Sequence, residues 1–210
     1  MVDPAELYDA ILTGNATKAA EATRAALEAK INPIDLVQKQ MIPAMDEVGQ
    51  RFECNEYFVP ELLIAARAMK IALGIIAPLL VEAGSKPAGR VVIGTVQGDL
   101  HDIGKNLVAS MLEGAGFQVV DLGVDVSAEK FVEAARQQAG TIVALSALLT
   151  TTMVVMKEVV ARLEQAGIRD KTKVIIGGAP ITQQYADEIG ADGYGENAST
   201  AVAMVRKLTA

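Results

Sequence analysis

The sequence predicts an α/β protein in which a small bundle of helices precedes a doubly wound parallel sheet of five strands. Glycine is scarce up to residue 82, where only three of the 18 glycines occur (Gly14, Gly49 and Gly74). After residue 83 the other fifteen separate short β-branched segments. These segments are continuously apolar rather than alternating, which is typical of strands buried on both faces of a parallel sheet.

The first part of the chain predicts four helices. Asn15 follows a glycine and can cap the second of them. Apolar residues recur at helical spacing in the segments 33–52 and 60–81. Pro43 and Pro78 lie inside these two patterns, so we expect a kink or a helix end at each.

The second part alternates strand-like and helix-like segments. We expect strands at 91–96, 118–122, 141–145, 173–176 and near 192–194. We expect helices near 104–115, 128–138, 151–166, 182–189 and 197–208. Five such units favour a flavodoxin-like (Rossmann-like) domain, whose ligands bind beyond the carboxyl ends of the strands where the strand order reverses.

A polar segment rich in turn-forming residues, 84–89, separates the two patterns. We therefore expect a helical-bundle domain at residues 1–83, a linker at 84–89 and an α/β domain at 90–210.

Composition excludes several classes of protein. The chain has 210 residues, 51% of them hydrophobic, which is enough to fill a core. Its 19 basic and 26 acidic residues give a net charge of −7 without a basic cluster, which argues against a nucleic-acid partner. No uninterrupted apolar run reaches the roughly 18 to 20 residues of a membrane span and the N-terminus does not resemble a signal peptide, so we expect a soluble cytoplasmic protein with no membrane partner. Cys54 is the only cysteine, which excludes an intrachain disulfide and a cysteine-based zinc site.

The only histidine, His101, falls in the loop after the first predicted strand, where this fold binds ligands. Position alone leaves an ordinary solvent-exposed histidine as an equal alternative. Asp99, two residues earlier, can accept a hydrogen bond from one ring nitrogen, which fixes the tautomer and leaves the other nitrogen as a lone-pair donor. One histidine cannot hold zinc, so a metal here has to arrive inside a cofactor that fills most of its coordination sphere. Macrocyclic cobalt or iron fits this restriction.

Residues 99–104, Asp-Leu-His-Asp-Ile-Gly, resemble the D-x-H-x-x-G motif of cobalamin-binding domains of the methionine synthase type. Two further segments resemble motifs of the same family. Ser146-Ala147-Leu148 resembles its S-x-L at the end of the third strand, and Gly177-Gly178 resembles its G-G after the fourth. Three motifs in register with three predicted strand ends are far more specific than D-x-H-x-x-G alone, and they cover the whole second domain.

The resemblance implies a role for each matching residue. His101 would displace the cofactor's own base and bind cobalt from below, the base-off/His-on state, with Asp99 as its hydrogen-bond partner. Thr152, where methionine synthase has serine, would supply the hydroxyl that completes this relay. Gly104 would allow the loop to turn tightly under the ring. The other implied cofactor contacts are Asp102, Ile103 and, around the nucleotide tail, Ser146, Leu148, Thr150, Gly177 and Gly178.

The helical part resembles the cap of methionine synthase and of small corrinoid proteins. Segments 45–52 and 57–63 stand where such caps shield the upper face of the corrin. The resemblance implies that Phe52 and Val59 contact the cofactor, while we expect Tyr57 to pack inside the bundle.

Together these resemblances imply a methyl carrier, the corrinoid subunit of a methyltransferase system, that is not catalytic alone. Its cofactor would be cobalamin or a related corrinoid, with methylcobalamin as the loaded state. The implied partners are a substrate-specific corrinoid methyltransferase, a methylcorrinoid:tetrahydrofolate or thiol methyltransferase, and a reductive activator of Co(II). Methylamines, methanol, aryl methyl ethers and betaines all remain open as methyl donors.

Three other functions compete with this one. The cobalamin-binding subunit of a radical mutase shares D-x-H-x-x-G, but the helical cap argues against it. A cobalamin-dependent sensor would have a DNA-binding helix-turn-helix, for which no residues remain here. A phospho-acceptor or flavin domain of the same fold would leave the three spaced motifs unexplained.

Overall fold

The computed structural model describes residues 3–83 and 86–209, so Gly84 and Ser85 of the expected linker lie outside the described residues. The chain divides into two compact units. The helical unit spans the described residues up to Pro87 together with Ser110–Gly116, and the α/β unit contains residues 88–109 and those from 117 onwards.

The helical unit contains the four predicted helical runs. They are α1 (Ala5–Leu12), α2 (Ala16–Glu28), a run made of α3 (Pro33–Leu36), a π-helical turn (Val37–Met41) and α4 (Ile42–Glu53), and finally α5 (Val59–Glu82). The predicted cap at Asn15 is confirmed, because its side chain accepts a hydrogen bond of 3.0 Å from the backbone N–H of Lys18.

The two internal prolines have different outcomes. Pro43 lies in the first turn of α4, directly after the π-helical turn, in which the N–H of Ile42 bonds to the carbonyl of Val37. This wider turn lets the chain stay helical up to a residue that has no N–H to donate. At Pro78 we expected a kink or a helix end, and the second alternative is wrong, because α5 continues to Glu82.

The long helix α5 is the central helix of the bundle and packs against α1, α2, α3 and α4. Its segment Val59–Leu80 is long and apolar enough to cross a membrane by length and composition. Its contacts with four helices account for only part of that apolar character, because 39% of the segment is buried and Leu63, Ile64 and Ile71 are exposed. The largest wholly buried side chains of the bundle are Leu7, Ile11, Leu36, Met41, Leu62, Met69 and Ile76.

The α/β unit is a five-stranded parallel sheet with the order β2-β1-β3-β4-β5. Its strands are β1 (Arg90–Thr95), β2 (Gln118–Asp121), β3 (Ile142–Ser146), β4 (Lys173–Gly177) and β5 (Gly193–Gly195). Its helices are α6 (Ile103–Gly114, of which the residues from Ser110 on belong to the helical unit), α7 (Ala128–Arg136), α8 (Met153–Gln165), α9 (Gln183–Ile189) and α10 (Ala198–Thr209), with a short 3-10 turn at Arg169–Lys171. The predicted doubly wound fold is confirmed, and its strand order is the flavodoxin-like one.

Both faces of the central strands are buried, as continuous apolar strands predict. One set of alternate residues packs in a core with α7, α8 and α9: Val92, Val143, Leu145, Val174 and Ile176. The intervening residues are equally buried: Val91, Ile93, Ile142, Ala144 and Ile175. The edge strand β2 is less covered, with its first and last residues exposed.

A buried arginine marks the amino end of the sheet. Arg90, the first residue of β1, is 5% exposed. Its guanidinium donates to the carbonyl of Ala134 at 2.9 Å, to Oγ1 of Thr141 at 3.1 Å and to Oε1 of Gln137 at 3.0 Å. These bonds tie the end of α7 to the sheet, far along β1 from its carboxyl end.

Candidate corrinoid site

The strand order reverses between β1 and β3, so the loops that follow these strands meet at one edge of the sheet. Val96, just after β1, donates its N–H to the carbonyl of Ser146 at the end of β3 at 3.0 Å. Thr95 is wholly buried and its hydroxyl donates to the carbonyl of His101 at 2.8 Å. Between them Gly98 adopts a φ of +82°, which reverses the chain. The His101 loop is therefore attached to both strands at its base.

Asp99 is the buried centre of this loop, with no exposed surface. Its Oδ1 accepts hydrogen bonds from Nδ1 of His101 at 2.7 Å and from the backbone N–H of the same residue at 3.1 Å. Its Oδ2 accepts from the backbone N–H groups of Leu148 at 2.8 Å and Leu149 at 3.2 Å, and from the Thr152 hydroxyl at 2.9 Å. Five donors from the loops after β1 and β3 thus surround one carboxylate.

This arrangement keeps Asp99 ionised. Burial by itself raises the pKa of a carboxyl, because a buried charge is poorly solvated. The surrounding donors, beginning with the backbone N–H of Leu148, outweigh burial and hold the pKa of Asp99 well below its usual value.

An ionised Asp99 fixes the tautomer of His101. A carboxylate only accepts hydrogen bonds, so Nδ1 carries the imidazole proton and Nε2 carries the lone pair. The His101 side chain is 51% exposed, whereas its partner is fully buried. The loop therefore presents one oriented nitrogen donor to the outside of the protein.

Thr152 joins the same group of residues, as predicted from the resemblance. It is the N-cap residue of α8 and only 7% exposed. Its hydroxyl lies 2.9 Å from both Asp99 Oδ2 and the carbonyl of Leu149. A hydroxyl has one proton, and the charged acceptor forms the stronger bond, so we assign the donation to Asp99.

Exposed apolar side chains flank His101 in the sequence and on the neighbouring loop. Leu100 and Ile103 are 71% and 73% exposed on either side of it. After β3 the exposed apolar residues are Leu148, Leu149 and, in the first turn of α8, Val154. Apolar side chains left exposed around an oriented donor are typical of a surface that a ligand covers.

Two residues of the D-x-H-x-x-G segment, Asp102 and Gly104, lie at the start of helix α6 and not in a tight turn. Asp102 precedes α6 and is exposed, and its carbonyl and carboxylate accept bonds from the backbone and side chain of Asn106. Gly104 lies in the first turn of α6 without a positive φ, and an added Cβ would meet no atom within 4 Å. The expected tight turn at Gly104 is therefore wrong, and the reversal occurs at Gly98 instead.

The residues implied for the nucleotide tail lie along the same edge. Ser146 ends β3 and pairs with Thr95 on one side and Gly177 on the other. Thr150 is exposed in the turn before α8. An added Cβ at Gly177 would lie 2.9 Å from the carbonyl oxygen of Gly195, and one at Gly178 would overlap the carbonyl oxygen of Ala147. Backbone packing thus already requires glycine at these positions, before any ligand is considered.

The two residues implied for the upper face belong to the helical unit. Phe52 is half-buried near the end of α4, and Val59 begins α5 and is 40% exposed. Tyr57 packs inside the bundle, as expected: its hydroxyl donates to the carbonyl of Leu12 at 3.2 Å and its ring lies beneath the guanidinium of Arg51.

The structure adds a polar group that the sequence reasoning did not find. Lys105 begins α6 with its side chain 2% exposed. Its Nζ donates to Asp121 Oδ2, at the end of β2, at 2.5 Å and to Asn106 Oδ1 at 2.6 Å. The sequence signal for the Lys105–Asp121 pair was the acidic residue at the end of β2, the strand next to β1.

The comparisons with known proteins cover both units. A family model described as the B12 binding domain matches residues 89–203, and a second model of the same description matches residues 5–77. The trimethylamine corrinoid protein 1 of Methanosarcina acetivorans is 48% identical over 206 residues, which are 97% of this chain and 95% of that protein.

Two solved structures are similar over most of the chain. A cobalamin-binding protein from Desulfitobacterium hafniense is 31% identical with a TM-score of 0.81, covering 99% of both chains. A chain of the methanol:cobalamin methyltransferase complex MtaBC from Methanosarcina barkeri is 33% identical with a TM-score of 0.83, covering 94% of this chain and 76% of that one. The protein therefore belongs to the methyltransferase-associated corrinoid proteins with B12-binding domains.

Proposed function

We propose that this protein carries a methyl group on a corrinoid between two methyltransferases, with His101 as the lower ligand of cobalt. One observation carries the proposal: the buried Asp99 carboxylate bonds Nδ1 of a half-exposed imidazole, which leaves the lone pair on Nε2.

The residues present fit a corrinoid better than a bare ion. The described part of the chain contains no group of three or more His, Cys, Asp or Glu residues that could hold a metal. A single imidazole nitrogen is sufficient for a metal whose other positions a macrocycle already fills. The exposed apolar residues next to His101 would pack against the hydrocarbon surface of such a ring.

When bound, the corrinoid supplies a cobalt centre that accepts a methyl group and passes it on. The chain's own residues hold and orient it. Asp99 fixes the His101 tautomer, Thr152 and the backbone N–H groups of Leu148 and Leu149 hold Asp99 in place, and all of these groups lie in one hydrogen-bonded unit. This unit would hold His101 in place while the protein presents the bound corrinoid first to one partner enzyme and then to the other.

The remaining sites follow the family's motif residue by residue. We propose that Asp102, Ile103 and Gly104 face the ring, where the open space beside Gly104 leaves room for it. Ser146, Leu148 and Thr150, with Gly177 and Gly178, would line the nucleotide tail, and Phe52 and Val59 of the cap would cover the upper face.

The proposed partners are a substrate-specific methyltransferase, a second enzyme that moves the methyl group to tetrahydrofolate or a thiol, and a reductive activator. The chain alone would not be catalytic and would act in the cytoplasm. A methylamine is the proposed methyl donor, supported by 48% identity to a trimethylamine corrinoid protein against 33% to the chain of the methanol complex.

The ligand assignment is tested with protein reconstituted with a cobinamide, a corrinoid without the nucleotide base that could itself donate a nitrogen to cobalt, and reduced to the cobalt(II) form. We expect nitrogen superhyperfine splitting in the electron paramagnetic resonance spectrum, and its loss in His101→Ala while part of the pigment stays bound. Gln97→Ala, an exposed change in the same loop, is the control and should keep the splitting. Splitting that persists in His101→Ala would overturn the assignment.

The donor is tested by a transfer assay. Trimethylamine with its methyltransferase should methylate the reconstituted protein, and methanol with its own methyltransferase should not. Methylation in the methanol assay alone would contradict a methylamine donor.

A further inference from the structure

A second loop lies against the His101 loop, and it follows β2. Its backbone continues the pairing with β1 beyond the end of the ladder. Leu122 donates its N–H to the carbonyl of Ile93 at 2.8 Å, Thr95 donates to Gly123 at 2.9 Å, and Val126 donates to Thr95 at 3.0 Å. The segment 122–126 is thus fixed to the strand from which the His101 loop departs.

Asp125 in this segment makes two hydrogen bonds to neighbouring residues of the His101 loop. Its carboxylate Oδ1 accepts from the backbone N–H of Gly98 at 2.8 Å. Its own backbone N–H donates to the carbonyl of Asp99 at 3.0 Å. The two bonds hold the Gly98–Asp99 segment from both sides of the peptide unit that links these two residues.

The backbone of Asp125 is in the left-handed region, with a φ of +52°. Among the described residues, the two other non-glycine residues with positive φ, Lys30 and Asn55, each follow the C-cap residue of a helix. That position commonly takes this conformation, whereas Asp125 lies in a loop between a strand and a helix. An aspartate in this uncommon conformation away from a helix end points to a function of its side chain.

We propose that Asp125 is a positioning residue for His101. By holding Gly98 and Asp99 it fixes the Asp99 carboxylate, and Asp99 in turn fixes the direction of the imidazole. Its consequence at cobalt rests on the proposed function, but the clamp itself is a property of the protein without cofactor.

Two substitutions separate the side chain from the backbone. Asp125→Asn keeps an oxygen that can accept from Gly98, and asparagine tolerates the left-handed conformation. Asp125→Gly adopts that conformation more easily than aspartate but has no acceptor. If Asp125 only provides the left-handed conformation, glycine should replace it at least as well as asparagine. If its carboxylate holds Gly98, only asparagine should preserve the position of the loop. Asp170→Asn, an exposed change in the 3-10 turn, controls for the loss of one negative charge.

The first measurement uses the protein without cofactor. We expect the Gly98 amide to exchange with solvent at least tenfold faster in Asp125→Gly and within threefold of wild type in Asp125→Asn and Asp170→Asn. In the ¹H–¹⁵N spectrum of the His101 ring, the signal of the proton on Nδ1 should be broadened in the glycine variant alone. Unchanged exchange of Gly98 in Asp125→Gly would overturn the proposal.

The second measurement uses the cobalt(II) form of the reconstituted proteins. The fraction of cobalt(II) whose signal shows the histidine nitrogen splitting should fall at least twofold in Asp125→Gly and should equal that of wild type in Asp125→Asn. Equal shares in the two variants would overturn the role at cobalt. If wild type shows no such splitting while the exchange result holds, the ligand assignment of His101 fails and the clamp on its loop stands.

Discussion

The two ends of β1 each hold a buried charge, and the difference between them shows what makes one end a site. Arg90 at the amino end and Asp99 beyond the carboxyl end are both almost inaccessible to solvent. Each makes at least three hydrogen bonds. All the partners of Arg90 are neutral acceptors that join a helix to the sheet. The partners of Asp99 include an imidazole with 51% of its side chain exposed.

Burial and satisfied hydrogen bonds therefore do not distinguish a structural charge from a functional one. The distinguishing feature is that the Asp99 group ends in a nitrogen that a ligand can reach. Variants of the two residues test this difference, because a change at Arg90 should affect stability alone while a change at Asp99 should also affect His101.

The largest effect is expected for Asp99→Asn. Three donors bond to Oδ2 of Asp99, and the two donors to Oδ1 both come from His101. The side-chain oxygen of the asparagine will therefore take the position of Oδ2, facing Leu148, and its NH₂ group will face the imidazole. That group donates to Nδ1 and moves the ring proton to Nε2, as a carboxylate-to-amide change does in other buried pairs. We expect a loss of about 2–4 kcal/mol in the free energy of unfolding, since charge-assisted bonds are lost and the His101 N–H has no acceptor.

Urea unfolding of the protein without cofactor measures the loss of stability, and the ¹⁵N spectrum of His101 reports the tautomer. In the cobalt(II) form the histidine splitting should disappear. A variant that is destabilised but keeps its proton on Nδ1 would contradict the role assigned to Asp99.

Arg90→Met should reduce the free energy of unfolding by about 1–3 kcal/mol, because it leaves the Ala134 carbonyl and the Thr141 hydroxyl without their buried donor. The His101 spectrum should not change. Arg136→Met, at an exposed position near the end of α7, is the matched control and should leave stability as it is. A shift of the His101 signals in Arg90→Met would show that the two ends of β1 are coupled.

The pH dependence of stability isolates the Asp99 carboxylate. Its pKa is lower in the folded protein than in the unfolded chain, where it is about 3.9. Its stabilisation is therefore complete above about pH 5 and is lost as the pH falls below the unfolded pKa. The difference in unfolding free energy between wild type and Asp99→Asn should shrink by about 1.4 kcal/mol per pH unit below that value. Urea titrations at pH 6 and pH 3 check this, and a constant difference would contradict it.

The smallest effect is expected at Thr152. Thr152→Val keeps the shape but removes the hydroxyl that donates to Asp99, at a cost of about 1 kcal/mol. Thr152→Ser keeps the hydroxyl and should keep the His101 spectrum of wild type. If the two variants shift that spectrum equally, the methyl group rather than the hydroxyl is the important feature.

Local patterns predict some of these features and not others. The positions of β1, β3 and β4 follow from continuous runs of β-branched residues, because a strand buried on both faces needs apolar side chains at every position. The Asp99–His101 pair follows from a spacing of two residues within one loop. The resemblance to a known family adds a further prediction, namely that the three motifs lie at the ends of three strands.

Contacts between distant segments were beyond such reasoning. The N–H groups of Leu148 and Leu149 reach Asp99 across about fifty positions, and a backbone donor has no sequence signal. The burial of Lys105 contradicts what a lysine at a helix start normally indicates. The prediction for Gly104 was wrong because a glycine in a motif suggested a turn, whereas the helix had already begun.

Gly178 has a consequence for tracing the history of this domain. Because any side chain there would overlap the Ala147 carbonyl, selection for folding alone preserves that glycine. A descendant that no longer bound the vitamin would keep Gly178 but could replace His101, because a side chain at that half-exposed position would meet no such overlap. Genome surveys that use the glycine pair to identify vitamin-binding proteins would therefore also count proteins that no longer bind the vitamin.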